Sequence, residues 1–213
     1  MRHLNWPICA VAATVVLLSA AGCARPATRI ARPVAQQAVS PESVSGTGRS
    51  AFERIGQEAV ASLGVQDPDD PPKFVGVLVN DVGDGDCGVT YWFYPTSVSV
   101  DGAVSVWFAA ALGSRVVPRA ASIPGVKHVT VAIVDSQNAP LVDTQVEYSR
   151  ADAASADWDH IQSQARLSDD QGTGWLPFFR SASGYAVSEL SWSDTVRYYG
   201  KRLNVKEFPR HKP

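Results

Sequence analysis

The sequence predicts an α+β domain with a mostly antiparallel β-sheet or a sandwich-like arrangement, an N-terminal helix and one further helix. Three observations support this class. One amphipathic helical stripe opens the folded part, several short β-branched or aromatic runs bounded by turn residues follow it, and a second helical stripe comes late in the chain. With 45% hydrophobic residues, the composition is that of a globular protein with one core.

The first helix is predicted to begin at Ser50. Ser50 and Glu53 have the spacing of a capping box, in which each side chain bonds the backbone amide of the other. The residues that follow repeat at helical spacing and predict one buried face. That face consists of Phe52, Ile55, Ala59 and Leu63.

Strands are predicted where β-branched and aromatic residues cluster between turn residues. A loop at Val100-Asp101-Gly102 predicts one hairpin, and a loop over 137–140 predicts a second hairpin whose outer residues face water. The outer residues of the second hairpin are Asp143, Gln145 and Glu147. The five predicted strands are Phe74–Val79, Val89–Tyr94, Val104–Ala111, His128–Val134 and Leu141–Tyr148.

A second helix is predicted over 155–167, capped by Ser155. Its buried stripe would contain Trp158, Ile161 and Ala165. Two last strands are predicted over 185–192 and 195–199, so that the chain ends in β-structure.

Residues 1–23 have the three-part order of a cleaved secretory signal. Arg2 precedes an uncharged run over 8–21, which is shorter than the about 20 residues that a membrane-spanning helix needs. The run ends in Leu18-Ser19-Ala20-Ala21-Gly22-Cys23, which resembles the lipobox of bacterial lipoproteins. The resemblance implies cleavage before Cys23 and acyl chains on Cys23 that hold the protein to a membrane. With Ala24 next, it also implies sorting to the outer membrane, facing the periplasm.

The chain therefore divides into four predicted parts. These are a signal peptide over 1–22, the lipidated Cys23 with a flexible tether over 23–49, one globular β-rich domain over 50–200, and a basic tail over 201–213. The tether has three prolines and no aromatic residue, so it cannot build a core. The tail has five basic residues against one acid, and it either keeps the end soluble or contacts acidic lipids or an acidic partner.

Charge and cysteine content limit the function classes. Arg2 is the only charged residue of the signal, so the mature chain has 18 basic and 21 acidic residues. No basic field exists that would attract nucleic acid, which we exclude as a partner. Cys9 leaves with the signal and Cys23 would be lipidated, so Cys87 has no cysteine to pair with. It is either buried and inert or reactive.

Asp86-Cys87-Gly88 offers a candidate nucleophile, and His128 opens the strand-like run His128-Val129-Thr130-Val131-Ala132-Ile133. This pair is similar to cell-wall peptidases of the NlpC/P60 type, in which a Cys follows an Asp and a downstream His at the start of a strand acts as base. The resemblance implies a Cys-dependent wall hydrolase using Cys87 and His128. The sequence departs from that family because Cys87 precedes a strand-like run rather than heading a helix. His160, one turn after Asp157, is another candidate base or a solvated helical histidine.

The acidic, Gly-rich stretch over 81–86 looks like a calcium loop. An EF-hand needs oxygen ligands at alternate positions and a Glu at the twelfth. Counted from Asp81, the third and fifth positions are Gly, and counted from Asp84, the twelfth is Pro95. The histidines show no metal spacing, and no Gly-rich loop leads from a strand into a helix. We predict no metal site and no cofactor.

Four consecutive aromatic residues form the most suggestive feature of the sequence. In a strand, Trp92 and Tyr94 would share one face while Tyr91 and Phe93 share the other. Trp107 would point outward from the next predicted strand. The outward members either form a patch that binds a protein or a glycan, or they are covered by helices or a facing sheet. The candidate binding residues are Tyr91, Trp92, Phe93, Tyr94 and Trp107.

Together these features favour a membrane-tethered envelope lipoprotein that acts as a non-catalytic interaction or structural module. It would be an accessory of an envelope machine, an adhesin or an inhibitor, with a protein partner in the envelope. The alternative is the Cys-dependent wall hydrolase.

Overall fold

The computed structural model describes residues 46–63, 72–95, 102–134, 142–165 and 173–199. The predicted signal peptide, Cys23, most of the tether and the basic tail lie outside these ranges. Within them the chain forms, in order, α1 (Gly46–Ala61), β1 (Lys73–Gly83), β2 (Asp86–Tyr94), α2 (Gly102–Ala121), β3 (Val126–Val134), β4 (Val142–Ser149), α3 (Arg150–Ser155), α4 (Trp158–Gln164), α5 (Leu176–Ser181), β5 (Gly184–Val187) and α6 (Glu189–Tyr199).

The five strands form one sheet in the order β1-β2-β3-β4-β5. Three of the neighbouring pairs are antiparallel, while β2 and β3 are parallel. The α+β class is therefore confirmed. The expectation of only two helices is wrong, since the described ranges contain six, and the sheet is mixed.

Helix α1 has the predicted buried face but begins earlier than predicted. Phe52, Ile55 and Ala59 are all buried in the core. The capping box at Ser50 is wrong because the helix begins at Gly46, which puts Ser50 inside it. Glu53 instead pairs with Arg49 one turn earlier, at 3.1 Å between Nε and Oε1.

The largest error concerns residues 104–111, predicted as a strand of the first hairpin. They belong to α2, a 20-residue helix with six alanines that connects the parallel strands β2 and β3. Every residue from Ser105 to Ser114 is buried. A helix enclosed on all sides has no polar stripe to reveal its period, so the alternation of Val104, Val106 and Phe108 mimicked a strand. Parallel neighbours also need such a crossover.

Pro118 lies inside α2 and has no N–H to donate. The carbonyl of Ser114, four residues earlier, therefore lacks its usual helical donor. The side-chain amide of Gln162 on α4 donates to this carbonyl at 2.8 Å. A long-range side-chain bond thus satisfies the group that the proline leaves open.

The strand pairing of the second predicted hairpin is confirmed as β3 and β4, in which Val131 pairs with Val146 and Val129 with Tyr148, while its loop over 137–140 lies outside the described residues. In the described part of the helix predicted over 155–167, the helix is the shorter α4, and a separate short helix, α3, ends at Ser155 just before it. Asp157, rather than Ser155, caps α4, because its side chain accepts from the amide of His160. The predicted stripe of Trp158, Ile161 and Ala165 does pack on the core.

The C-terminal part also differs from the prediction. The strand predicted over 185–192 is confirmed only in its first three residues, which lie in β5, whereas the residues from Glu189 onward, including the strand predicted over 195–199, form α6. Ser188 ends β5, because its hydroxyl accepts from the amide of Ser191 at 3.1 Å and donates to Asp143 at 2.8 Å. A serine whose side chain accepts from an amide three residues later is a helix N-cap, so α6 begins directly after Ser188. The sequence pattern did not predict this helix start.

Candidate functional site

The helices cover one face of the sheet. Phe74 lies against Gly56 of α1, Ser105 of α2 is hydrogen-bonded to Thr144 at 2.7 Å, and Tyr148 packs on Trp158 and Phe178. Helices α3 and α6 pack on α2. In the part of the chain that the structure describes, all six helices therefore lie on this side, which we call the helix-covered face.

The opposite side is called the open face here, and no described helix packs on it. Register and strand alternation define its members. Because Val89, Tyr91 and Phe93 point into the helix-covered core, the residues between them point the other way. The open face includes Lys73, Gly76, Leu78, Asn80, Gly88, Thr90, Trp92, Tyr94, His128, Thr130, Ala132, Gln145, Glu147, Gly184 and Ala186.

The four-residue aromatic run divides between the two faces as the alternation predicts. Tyr91 and Phe93 are fully buried and stack with ring centroids 6.3 Å apart. Trp92 and Tyr94 lie half-buried on the open face. Trp107 does not join them. It belongs to α2 and is buried at 7% exposure, so its assignment to an outward strand face is wrong.

Trp92 stands in a row of small side chains. Across the sheet, its neighbours in the register are Gly76 on β1 and Ala132 on β3, and the row continues through Gln145 to Ala186. A Cβ atom added to Gly76 would meet nothing within 4 Å. The indole is therefore the one bulky side chain of its row. Ala132, at 1% exposure, is nevertheless buried beside it.

Charged groups lie at both ends of this face, with Lys73 opposite Tyr94 at one end and two ion pairs at the other. His128 Nδ1 is 3.3 Å from Glu147 Oε1, and both side chains are nearly half exposed. Lys127 and Asp86 form a second pair at 3.1 Å at the same end of β2 and β3. The row around Trp92 contains no charged residue. The open face is thus an aromatic and uncharged centre with charges at its border.

The hydrolase pair is not brought together. Cys87 lies two residues before the core residue Val89 and packs against the core, whereas His128 lies on the open face with Glu147 as its partner. Burial, and then the nearby carboxylates of Asp86 and Asp81, raise the pKa of the Cys87 thiol. A reactive cysteine needs the opposite shift.

His160 lies on α4, a helix that packs against α2 and α5. It is an exposed residue in the first turn of α4, and the carboxylate of Asp157 accepts from its backbone amide at 3.0 Å. Asp157 therefore acts as a helix cap. No contact links His160 to Cys87 among the described hydrogen bonds and ion pairs.

The acidic stretch over 81–86 forms the tight turn between β1 and β2. Asp81 accepts from the amide of Gly83 at 2.8 Å, and Gly83, Asp84 and Gly85 all have positive φ. Two glycines are suited to this backbone. Over the ranges with described coordinates, no group of three or more His, Cys, Asp or Glu residues is placed to hold a metal ion.

The sequence found Trp92 and Tyr94 but missed Leu78, Gly76 and Ala132. The missed residues are apolar or small, and only the register between strands shows that they surround Trp92. Gln145 and Glu147 lie on the face of β4 opposite Val146 and Tyr148, as the sequence predicts.

None of the helices in the described ranges combines the length and apolar character needed to span a membrane. In comparisons with known proteins, no family model, no curated protein and no solved structure matched the chain.

Proposed function

We propose that this chain is an exported envelope lipoprotein whose folded domain is a non-catalytic interaction module, and that the open face of its sheet binds a protein partner. The single observation that carries the binding proposal is the position of Trp92. It is half-buried on a face that no described helix covers, between Gly76 and Ala132.

The chemistry of this face fits a protein interface. Interfaces have an aromatic, uncharged centre and a polar rim, and a few Trp, Tyr or Arg residues contribute most of the binding energy. Trp92 and Tyr94 supply the aromatic centre, and the His128–Glu147 pair lies at the border. On the β1 side of the indole, Gly76 leaves room for a partner side chain, since a Cβ atom added there would meet nothing within 4 Å.

The support for the membrane anchor lies in residues 1–23. The signal and the lipobox ending in Cys23 favour export and acylation, with sorting to the outer membrane on its periplasmic side. Two or more acyl chains give stable anchoring. A domain held at the membrane in this way meets its partner within the envelope.

The hydrolase alternative gains no support from the geometry. Cys87 and His128 lie on different faces, and the thiol pKa is raised. We therefore carry forward only the interaction module.

The binding proposal is tested by photo-cross-linking in native envelopes with the full-length, lipidated protein. The cross-linking amino acid replaces Gln145, which is exposed on the open face, or Ser193, which is exposed on α6 as a matched control position. We expect one discrete protein adduct from position 145 and none of the same mass from position 193.

A second substitution identifies the residue responsible. Trp92→Ala should remove the adduct formed at position 145, whereas Leu190→Ala, which removes an apolar side chain 64% exposed on α6, should leave it unchanged. If Trp92→Ala leaves the adduct intact in a folded protein, the open face is not the binding surface. If the only adducts contain glycan fragments, the partner of the open face is a carbohydrate and not a protein.

The anchor is tested separately with Cys23→Ala. This variant should no longer incorporate a labelled fatty acid and should leave the membrane fraction. Retained labelling would show that Cys23 is not the acylated residue.

A further inference from the structure

Strand β1 is a long edge of the sheet. It has 11 residues and, among the described strands, pairs only with β2, while the strand at the other edge, β5, has 4 residues. An unpaired edge presents backbone N–H and C=O groups that can pair with another strand. Only β1 is long enough to offer several such groups in a row.

Two bulges divide this edge. The register with β2 shifts at Val75 and again at Val82, and between them Gly76–Asp81 pair without interruption. Val75 and Val82 are 36% and 46% exposed, unusual values for valines in a sheet. Edges that avoid pairing carry bulges, charges or Pro. Here the bulges lie at the two ends, and the stretch between them has no charge until Asp81.

The central stretch is complementary to itself. In the register with β2, Val77 and Val79 lie on the helix-covered face, while Gly76, Leu78 and Asn80 lie on the open face. If two copies run antiparallel about a two-fold axis at Leu78, then Leu78 meets Leu78, Val77 meets Val79, and Gly76 meets Asn80. Every pair joins residues of the same face, as a continuous sheet requires.

Charge is complementary in the same arrangement. Lys73 lies at the start of β1, and the acidic turn with Asp81 and Asp84 lies at its end. Antiparallel pairing brings the Lys73 end of one strand beside the acidic end of the other. No like charges meet along the central stretch. An interface of this kind uses the same patch on both subunits.

The geometry points to a homodimer in which β1 pairs with β1 of a second copy, giving one ten-stranded sheet. The two-fold axis is perpendicular to the sheet, so both open faces look the same way. Trp92 lies one strand inward from the new junction, because it pairs with Gly76. The dimer thus carries two Trp92 surfaces side by side, and two linked sites bind a divalent partner more tightly than one.

The homodimer is tested first by cysteine cross-linking of the full-length protein. Leu78→Cys in a Cys87→Ser background places two thiols on the axis. Cα atoms directly opposite in antiparallel strands are about 4.5–5.5 Å apart, within the about 4.4–6.8 Å that a disulfide spans. We expect mild oxidation to give a disulfide-linked dimer of twice the chain mass. Gln145→Cys in the same background, exposed on β4 away from the edge, should give no disulfide-linked product under the same conditions.

A charge swap tests the axis itself. Leu78→Lys and Leu78→Glu should each be monomeric by light scattering in detergent, because like charges would meet at the junction. Their equimolar mixture should regain twice the chain mass, since position 78 meets itself. Thermal unfolding and circular dichroism of each variant show whether it is folded.

A monomeric wild-type protein together with no cross-link from position 78 would overturn the dimer. Equal disulfide formation from positions 78 and 145 would also overturn it. The same holds if the mixture of Leu78→Lys and Leu78→Glu stays monomeric although both variants are folded. Pairing of β1 with another protein's extended segment would appear as a heterologous cross-link from position 78 without the self-linked product, and it also overturns the proposal. These results do not depend on whether the open face binds a partner.

Discussion

Cys87 and His128 lie on opposite faces of the sheet, although their strands β2 and β3 are hydrogen-bonded neighbours. Cys87 pairs with Val126 and Gly88 with His128, so that Lys127 is an extra residue of β3 at this point. Both Val126 and Cys87 pack toward the core. The bulge at Lys127 therefore turns the imidazole to the open face, where it meets Glu147.

We expect the Cys87 thiol to react slowly with alkylating reagents at neutral pH. Burial, Asp86 and Asp81 raise its pKa, so its thiolate fraction is below that of a free cysteine. The alkylation rate should rise with pH along a curve whose midpoint lies above that of the unfolded chain. Asp86→Asn should lower the midpoint, and His128→Ala should leave it unchanged. A His128→Ala shift of that midpoint would mean that thiol and imidazole interact.

Removing the hydroxyl of two buried tyrosines should change the free energy of unfolding in opposite directions. Tyr148 donates to the carbonyl of Phe178, whereas the hydroxyl of Tyr91 is buried without a hydrogen-bond partner in the described part of the structure. Tyr148→Phe should lower the free energy of unfolding by about 1 kcal/mol, and Tyr91→Phe should raise it by about 1 kcal/mol. Denaturant titration measures both, and equal losses would mean that Tyr91 has a partner.

Stability should fall in alkaline solution. Burial raises the pKa of Tyr91, and burial followed by Asp152 raises that of Tyr148. Each neutral hydroxyl therefore stabilises the fold below the unfolded pKa of about 10, and this contribution is lost as pH rises above it. Either Tyr→Phe substitution should make the unfolding free energy fall less steeply with pH. If neither substitution changes this slope, the buried tyrosines are not the cause of the alkaline loss of stability.

Two glycines differ in the space around them, so alanine substitutions at these positions can be compared directly. A Cβ on Gly113 would lie 2.2 Å from the ring of Phe178, which is fully buried, whereas one on Gly76 would meet nothing within 4 Å. Gly113→Ala should cost about 1–3 kcal/mol of unfolding free energy because the ring cannot move freely. Gly76→Ala should cost nothing. Similar melting temperatures for the two variants would show that the core around Phe178 adapts.

Gln162 and Pro118 should be energetically coupled. Gln162 donates to the Ser114 carbonyl that Pro118 leaves without a helical donor. Gln162→Ala should cost about 0.5–1.5 kcal/mol. In a Pro118→Ala background the residue at 118 supplies its own amide, so the cost of Gln162→Ala should shrink. A double-mutant cycle without coupling energy would reject this account.

The sequence by itself determined the elements whose pattern is local. The buried stripe of α1 with Phe52, the hairpin of β3 and β4, and the two-sided aromatic run at Tyr91–Tyr94 follow from periods of 3.6 and 2 that a chain carries within a few residues. Among the described residues Cys87 is a free cysteine. The lipobox reading remains a prediction of this kind.

Only the tertiary structure decided the rest. Strands and helices enclose α2 from Ser105 to Ser114, so this part of the helix has no solvent-facing stripe and its period could not be seen in the sequence. The parallel pairing of β2 with β3 joins residues far apart in the chain, and that pairing sets Trp92 beside Ala132 and turns Cys87 away from His128. Which face of a strand is covered depends on where distant helices pack, and a local pattern carries no record of that.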